Sequence, residues 1–373
     1  MSDLMGIGVR GLIAFQTALQ ITGQNITNNK TDFYARRVID FSAQMRNNGV
    51  AVSDVRRVFD ESANQNLQAA NSNYSRYEAT YSELSQLEVM LDDKSNSINN
   101  YLSDAIEALR QLSKPNSAQG RDLFLQKLGI LANRFKGVNN QLITQEQNIV
   151  GNITTATDSV NGITKALADI NIKLSGANND DTSNLMDQQQ RLLQQLATYA
   201  DYSLQTSADG EVNVMLGNGT LLVYNDQAYQ LATAPDPTNP TNVIINLELE
   251  GNHIRVDDLI NGGQIAGLYQ AQASVNQAKN SLGRLALAIA DTINSQNKLG
   301  VDANGLLGGN VFTDINDPSM LMQRSLANST NTGNANFGVK ISNMQQVTTS
   351  DYVLSFGAGS SYTLTRKSDN TVV

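Results

Sequence analysis

Between Phe124 and Leu174 the apolar residues return at helical spacing: Phe124, Leu128, Leu131, Phe135, Val138, Leu142, Ile149, Ile153, Ala156, Val160, Ile163, Leu167, Ile170 and Leu174. That is one face of a helix. At ~1.5 Å per residue, about fifty residues make a rod of roughly 75 Å. Compact globules rarely use such a helix, and patterns past ~25 residues point to a coiled coil or an extended bundle. Gly137, Gly151 and Gly162 weaken the run locally, and Ser175-Gly176-Ala177-Asn178-Asn179 ends it.

A second periodic run starts at Leu67. One column holds Leu67, Tyr74, Tyr81, Leu102 and Leu109; the other holds Ala70, Tyr77, Leu84, Leu91, Ile98, Ala105 and Leu112. These columns are the expected packed face. The first lapses at Glu88 and Ser95, with Leu87 beside the lapse, and Asp92-Asp93-Lys94-Ser95 marks a bend or short loop. Lys114-Pro115 stops the run. Leu185–Tyr199 and Ile265–Gln296 are further helices, the latter carrying Leu268, Val275, Leu282, Leu285, Ile289 and Ile293 on one face. The pattern predicts antiparallel long helices with a third or fourth packed along them.

Between the helices the period changes to two. Ser203–Gln205, Val212–Leu216, Thr220–Tyr224, a short strand ending at Leu231, Val243–Leu249 and His253–Val256 read as strands, with a tight turn at Gly217-Asn218-Gly219. Ala234-Pro235-Asp236-Pro237-Thr238-Asn239-Pro240 holds three of the five prolines and reads as a stiff loop. Asp351–Phe356 and Ser361–Thr365 form an expected hairpin across Gly357-Ala358-Gly359. The fold class is therefore α+β and multidomain: an elongated long-helix bundle or rod carrying inserted β-rich domains. Residues 1–62 are expected as an N-terminal assembly segment, 63–200 as the rod, 201–262 as a small inserted β subdomain, 263–298 as the return helix and 299–373 as an outer β-rich domain.

Composition removes most chemistry. With no cysteine, no tryptophan and one histidine, His253, the chain lacks the material for disulfides, thiolate metal sites, zinc centres and histidine-based triads. Its net charge of -9 and scattered basic residues argue against nucleic acid. Gly6-x-Gly8-x-x-Gly11 matches a dinucleotide fingerprint in letters only, because no strand can precede it; those glycines suit close packing of a helix against a neighbour. Asp302, Asn304 and Gly305 read as a surface turn, and Asp257-Asp258 as a cap for a short helical turn. No catalytic, cofactor-binding or metal-binding residue is assigned.

The N-terminus is built differently from the rest. Leu12, Phe15, Leu19 and Ile26 form an amphipathic repeat that runs into Asn25-Ile26-Thr27-Asn28-Asn29-Lys30-Thr31-Asp32-Phe33-Tyr34-Ala35-Arg36-Arg37. A helix face, an amide-rich turn and a basic step into extended chain follow one another, and the apolar face needs a partner. No 18-residue apolar run and no basic signal region is read, so membrane insertion is not expected. A cytoplasmic location and export without a cleaved signal both fit.

Asn25, Ile26, Asn28, Thr31, Tyr34 and Arg36 resemble the N-I-x-N-x-x-T-x-G-Y-x-R motif of the flagellar rod–hook–filament axial family. Phe33 stands where that family usually has glycine. Four later segments are similar to the hook-associated junction (FlgK) type. Leu185-Met186-Asp187-Gln188-Gln189-Gln190-Arg191-Leu192-Leu193 resembles N-L-L-D-x-R-D-x-L, with Gln189-Gln190 in place of Arg-Asp. Gly217–Val223 resembles a glycine turn and strand, Asn261–Leu268 a G-G-x-I-G-G-L helix entry, and Ile293–Gly305 an F-N-x-Q-H-x-x-G-x-D-x-x-G segment.

The resemblance implies a non-enzymatic structural protein secreted through the flagellar export route, forming a homo-oligomeric ring layer at the hook–filament junction. It implies contacts with hook protein and a second junction protein, and an export chaperone, FlgN, acting on a C-terminal helical region. A flagellin-like or hook-type axial component, or a secreted adhesin, is the alternative. The assembly residues it implies are Leu12, Phe15, Leu19, Asn25, Ile26, Asn28, Thr31, Tyr34 and Arg36. The paired helix expected for the N-terminal segment is not found before Val373, so the sequence reads as C-terminally truncated, with its N-terminal segment disordered when alone.

Overall fold

The computed structural model describes residues 2–44, 49–91, 97–112, 118–176, 179–207, 209–217, 219–302, 304–333, 337–357, 359 and 361–373. In order these form α1 (Ser2–Thr27), β1 (Arg37–Gln44), β2 (Gly49–Arg57), α2 (Glu61–Leu91), α3 (Ile98–Gln111), α4 (Ala118–Ser175) and α5 (Asn179–Tyr199). Then come β3 (Ser203–Thr206), β4 (Val212–Leu216), β5 (Thr220–Tyr224), β6 (Gln227–Ala228), β7 (Leu231–Asp236), β8 (Asn239–Leu249) and β9 (Asn252–Arg255). The chain ends with α6 (Gly263–Lys298), α7 (Pro318–Leu321), β10 (Tyr352–Phe356), β11 (Tyr362–Arg366) and β12 (Thr371–Val372). Long helices therefore carry inserted antiparallel sheets, as the periodicities predict. The expected breaks at 92–95 and 114–115, and the tips at Asn218 and Ala358, lie outside the described residues.

Internal contacts divide the chain into two units: Met1–Ala79, Ile153–Ala234 and Ile244–Leu268, and Thr80–Asn152, Pro235–Val243 and Tyr269–Val373. The longest periodic run folds as one helix of 58 residues, α4. Its glycines do not interrupt it, and a Cβ at Gly137, Gly151 or Gly162 would meet open space, so no close contact requires glycine there. Each costs about 1 kcal/mol relative to alanine. The buried row supplies far more: Leu128, Leu131, Val138 and Leu142 in the second unit, and Ile153, Val160 and Leu167 in the first.

In the second unit the apolar row lapses between Leu142 and Ile149, where Gln145 and Glu146 are buried instead. Glu146 takes both oxygens to Lys279 Nζ at 2.8 and 2.9 Å and accepts from Thr241 Oγ1 at 2.8 Å. Gln145 donates to Glu83 Oε2 at 2.7 Å, and Asn152 donates to Glu83 Oε1 at 3.2 Å. Each buried carboxylate is thus hydrogen-bonded, as burial demands.

The expected packed columns of α2 are reversed. Leu67, Tyr74, Tyr77 and Tyr81 are exposed, and the helix buries Gln68, Ser72, Ser75, Thr80, Glu83 and Leu87. The cause in the first unit is close approach. A Cβ on Gly267 of α6 would lie 2.3 Å from the Arg76 carbonyl oxygen, and one on Gly262 would lie 2.2 Å from Ser72 Oγ. Only small side chains fit there. Asn71 donates to the Gln194 carbonyl at 3.1 Å, and Gln194 donates to Asn64 Oδ1 at 3.1 Å, so amides fasten α2 to α5.

The entry to α6 depends on Gly263, whose φ is +71° and whose Cβ would lie 2.3 Å from Tyr199 C. Gly263→Ala should cost about 2–3 kcal/mol, through both overpacking and a left-handed backbone; urea unfolding of the variant checks this.

The first inserted sheet has the order β3-β4-β5-β6 and the second β7-β8-β9. The proline-rich stretch is mostly strand, with the expected loop reduced to a turn at Pro237-Thr238. Leu231 opens a strand, and Pro235 and Pro240 lie inside β7 and β8. Proline is tolerated because β7 is an edge strand and Pro240 sits at the start of β8. Asn161 of α4 grips the backbone of Leu231 from both sides (Nδ2 to O, and N to Oδ1, each 2.8 Å), and Asn171 does the same to Val212 at 2.9 and 3.1 Å. Asp257 is no cap: it is buried and takes Arg255 through two hydrogen bonds of 2.8 Å. His253 is exposed on β9. The hairpin of β10 and β11 pairs as expected, and β12 extends it.

Candidate assembly interface at the N-terminal segment

Helix α1 ends in an amide-rich turn. Asn28 N donates to Gln24 O at 3.0 Å, Thr31 N to Asn28 O at 2.9 Å and Tyr34 N to Thr31 O at 3.2 Å. The chain then enters an antiparallel hairpin in which Arg37 faces Arg57, with a bulge at Asp40/Phe41.

Asn25 joins helix to hairpin. Its Nδ2 donates to Arg37 O at 2.8 Å, and its Oδ1 accepts from Arg37 N and from the Tyr34 hydroxyl, each at 2.9 Å. One side chain thus replaces a strand partner for Arg37 and holds the Tyr34 ring. Burial pushes the Tyr34 hydroxyl pKa up, against the lowering pull of Arg37, so it remains a donor.

The joined segment is anchored on α5 by charge. Arg37 is 6 % exposed and reaches Asp187 Oδ2 at 3.3 Å and Asn184 Oδ1 at 2.7 Å. Arg57 reaches Asp187 Oδ1 at 2.6 Å, and the Ala35 N–H points at the same oxygen at 3.4 Å. One buried carboxylate therefore balances two guanidinium groups, and Arg37 lies 5.3 Å from the centre of the Tyr34 ring.

The residues singled out in the sequence fall into two groups. Leu12, Phe15, Leu19 and Ile26 are 63–73 % exposed and form an outward apolar face, with Leu4, Met5, Val9 and Ile13 also exposed. Asn25, Asn28, Thr31 and Tyr34 build the turn and the clamp. Arg36 belongs to neither: its side chain is exposed, and its carbonyl accepts from Val58 N at 2.8 Å. The anchoring arginine is its neighbour Arg37, which the motif reading passed over together with Arg57 and Asp187. The signal was present, since Asp187 lies in a segment already singled out. The adjacent Gln189 and Gln190 are not idle: they donate to Gly210 O and Asn64 Oδ1.

The reading of the N-terminal glycines changes here, and the membrane expectation gains one observation. Leu4–Thr27 has a mean hydropathy of 1.3 and is long and apolar enough to cross a membrane, although Gln16, Thr17, Gln20 and Thr22 interrupt any continuous apolar run. Most of its residues are exposed or half-buried, and Ala14 is buried. Gly8 and Gly11 have open space where a Cβ would be, so no neighbour within the described chain uses their closeness.

Phe33 has a φ of 67°, a left-handed conformation that a bulky side chain disfavours. Phe33→Gly should stabilise the segment by about 1 kcal/mol; thermal unfolding would show it as a raised midpoint.

A groove of about 550 Å³ opens between α1 and β1. Ala18, Ile21, Ile26, Val38, Ile39 and Phe41 line it, with Arg36 and Arg37 as its charged groups. Among the described residues no cluster of three His, Cys, Asp or Glu could hold a metal ion. The arrangement offers apolar area, amides and fixed charge, which serve binding.

Comparison with known proteins agrees with this character. Residues 84–312, more than half of the chain, match the family model described as the flagellar hook-associated protein FlgK helical domain. Residues 326–373 match a D2-like domain of flagellar hook-associated protein 1. Flagellar hook-associated protein 1 of Escherichia coli K12 is 29 % identical over all of this chain and 70 % of its own length. The Bacillus subtilis protein of the same name is 23 % identical, covering 83 % of this chain and 70 % of its own. The solved flagellar hook junction protein FlgK from Burkholderia pseudomallei superposes with a TM-score of 0.72 at 26 % identity. That match covers 83 % of this chain, which spans 56 % of the solved one.

Proposed function

Because the chain belongs to the flagellar hook-associated protein FlgK family, we propose that it forms the junction between hook and filament by self-assembly through its N-terminal segment. It is a structural, non-enzymatic protein of the extracellular flagellum. The observation that carries the assembly reading is the contrast within residues 2–57. One side is locked to α5 through Asp187, while the other presents an apolar helix face that stays largely exposed among the described residues, with only the Phe15 ring meeting Phe41.

Such a face costs little in a helix that orders fully only when subunits meet, since the ordering entropy is recovered from buried intersubunit surface. In this reading Leu12, Phe15, Leu19 and Ile26 contact neighbouring subunits, and Asn25, Asn28, Thr31 and Tyr34 set the angle at which α1 leaves the hairpin. Arg36 is free to meet a partner's acid. The exposed Leu67, Tyr74 and Tyr77 of α2 are further apolar positions available to neighbouring subunits. Hook protein and a second junction protein are the proposed axial partners, and an export chaperone of the FlgN kind the proposed partner before secretion.

Electron microscopy of hook-protein polymers incubated with this chain tests the proposal, in parallel with a version carrying the further C-terminal sequence of its relatives. Density confined to one end of the hook polymers is expected. No end-binding by either version would overturn the junction reading.

A further inference from the structure

The chain leaves α6 at Lys298 and later comes back to the same helix. On the way out, Asn294 holds it. Its Oδ1 accepts from Val311 N at 2.8 Å and Phe312 N at 2.9 Å, and its Nδ2 donates to Phe312 O at 2.9 Å. On the way back, residues 347–351 form a neck without regular structure that leads directly into β10. Asn280 Nδ2 donates to Thr349 O and to Asp351 Oδ1, each at 3.1 Å, and Arg284 Nε donates to Val347 O at 2.6 Å. These two side chains stand four residues apart, on one face of α6.

The two attachments differ in kind. Asn294 is 4 % exposed, so breaking its bonds would strand polar groups away from water. Asn280 is half-buried and Arg284 exposed, so water can replace their bonds. Apolar packing adds little at the neck's far end. Tyr352, Val353, Phe356, Tyr362 and Val372 of the sheet β10-β11-β12 are 38–68 % exposed. The sheet closes on itself instead. Lys367 N donates to Asp351 O at 2.9 Å and Ser368 N to Ser350 Oγ at 3.2 Å, below the β10–β11 ladder. It can change its angle to α6 without losing a bond of its own.

We infer that Asn280 and Arg284 are a latch. Closed, they hold the sheet β10-β11-β12 at one orientation to α6. Open, they let it swing as a body about residues 347–351. A hydrogen bond of this kind shifts a local equilibrium by about two- to tenfold, so three together favour the closed form by roughly tenfold to a thousandfold. That sets a resting orientation, and a contact of modest strength on the exposed sheet is enough to override it. The inference stands apart from the assembly reading, because it concerns bonds within one chain.

The absence of cysteine makes the test clean. Spin labels on Ser355→Cys and Thr292→Cys, both exposed, report the angle as a distance distribution in pulsed dipolar spectroscopy. A single narrow distribution is expected for the otherwise unchanged chain. Asn280→Ala with Arg284→Ala should lower the ratio of narrow to broad component by about tenfold or more. Asp351→Ala, made from the sheet side, should broaden the distribution by itself and add little on top of Asn280→Ala, since the two share one bond. Hydrogen exchange within β10 and β11 should stay as it was, because a swinging sheet keeps its ladder. An unchanged distribution in the double variant would overturn the latch. So would broadening accompanied by faster exchange across β10 and β11, which would mean that the sheet melts and does not swing.

Discussion

Asp187→Ala should cost about 3–5 kcal/mol of stability, because it leaves two buried guanidinium groups without their counter-charge. The carboxylate is 11 % exposed, and it faces Arg37 and Arg57, whose side chains are 6 % and 13 % exposed. Burial, and not distance, decides the size of the effect. Lys127 and Asp104 stand 2.7 Å apart, closer than Arg37 and Asp187, but their side chains are 32 % and 54 % exposed. Removing Asp104 should therefore cost under about 1 kcal/mol. The loss at Asp187 should also be local at first. Hydrogen exchange should quicken across β1 and β2 while the buried row of α4 stays protected. Uniform acceleration across both would mean that the anchor holds more than the N-terminal segment. Asp187→Asn, which keeps the shape but not the charge, should fall between the two.

Leu12→Asp with Leu19→Asp should leave the isolated chain's stability within about 0.5 kcal/mol of the original, since both positions are exposed. Assembly should suffer instead. Fully burying a leucine is worth roughly 1.5–3 kcal/mol, so two forfeited contacts amount to about 3–6 kcal/mol, or roughly a hundredfold to ten-thousandfold in association. Unfolding curves and end-binding to hook polymers measure the two halves separately. A double variant that unfolds early yet still assembles would place these leucines in the core of the subunit and not between subunits. The Asp187 and leucine variants thus separate the two sides of one segment: the first acts on folding, the second on association.

The long helices were legible because their apolar period is a property of a single segment, and α4 follows it apart from the lapse at Gln145 and Glu146. The inner face of α2 was not. Leu67, Tyr74, Tyr77 and Tyr81 spell a packed column, but the helix turns Ser72 and Ser75 inward, because Gly262 and Gly267 bring α6 too close for larger groups. Which of two faces is buried depends on a neighbour nearly two hundred residues away in sequence, roughly beyond any local reading. The prolines misled for a similar reason. They break the middle of a central strand but not an edge strand or a strand's start, where Pro235 and Pro240 lie, and strand order is not written locally.

In the candidate site, Asn25 and Tyr34 were legible as a motif, while Arg37 and Asp187 are 150 positions apart and meet only in the fold. A device that could have been sought is the asparagine that bonds a backbone amide and carbonyl together. Asn25 does this to Arg37, Asn161 to Leu231, Asn171 to Val212, Asn294 to Phe312 and Asn316 to Ile341. It gives the asparagine-rich composition a structural purpose: a helix or loop can finish a strand's hydrogen bonding without being a strand.

The most direct test of the account is hydrogen exchange of α1 before and after assembly on hook ends. Amides between Leu12 and Ile26 should exchange rapidly in the free chain and become protected in the assembled one, while α4 is protected in both. Equal protection of α1 in the two states would contradict the claim that its apolar face is completed by other subunits.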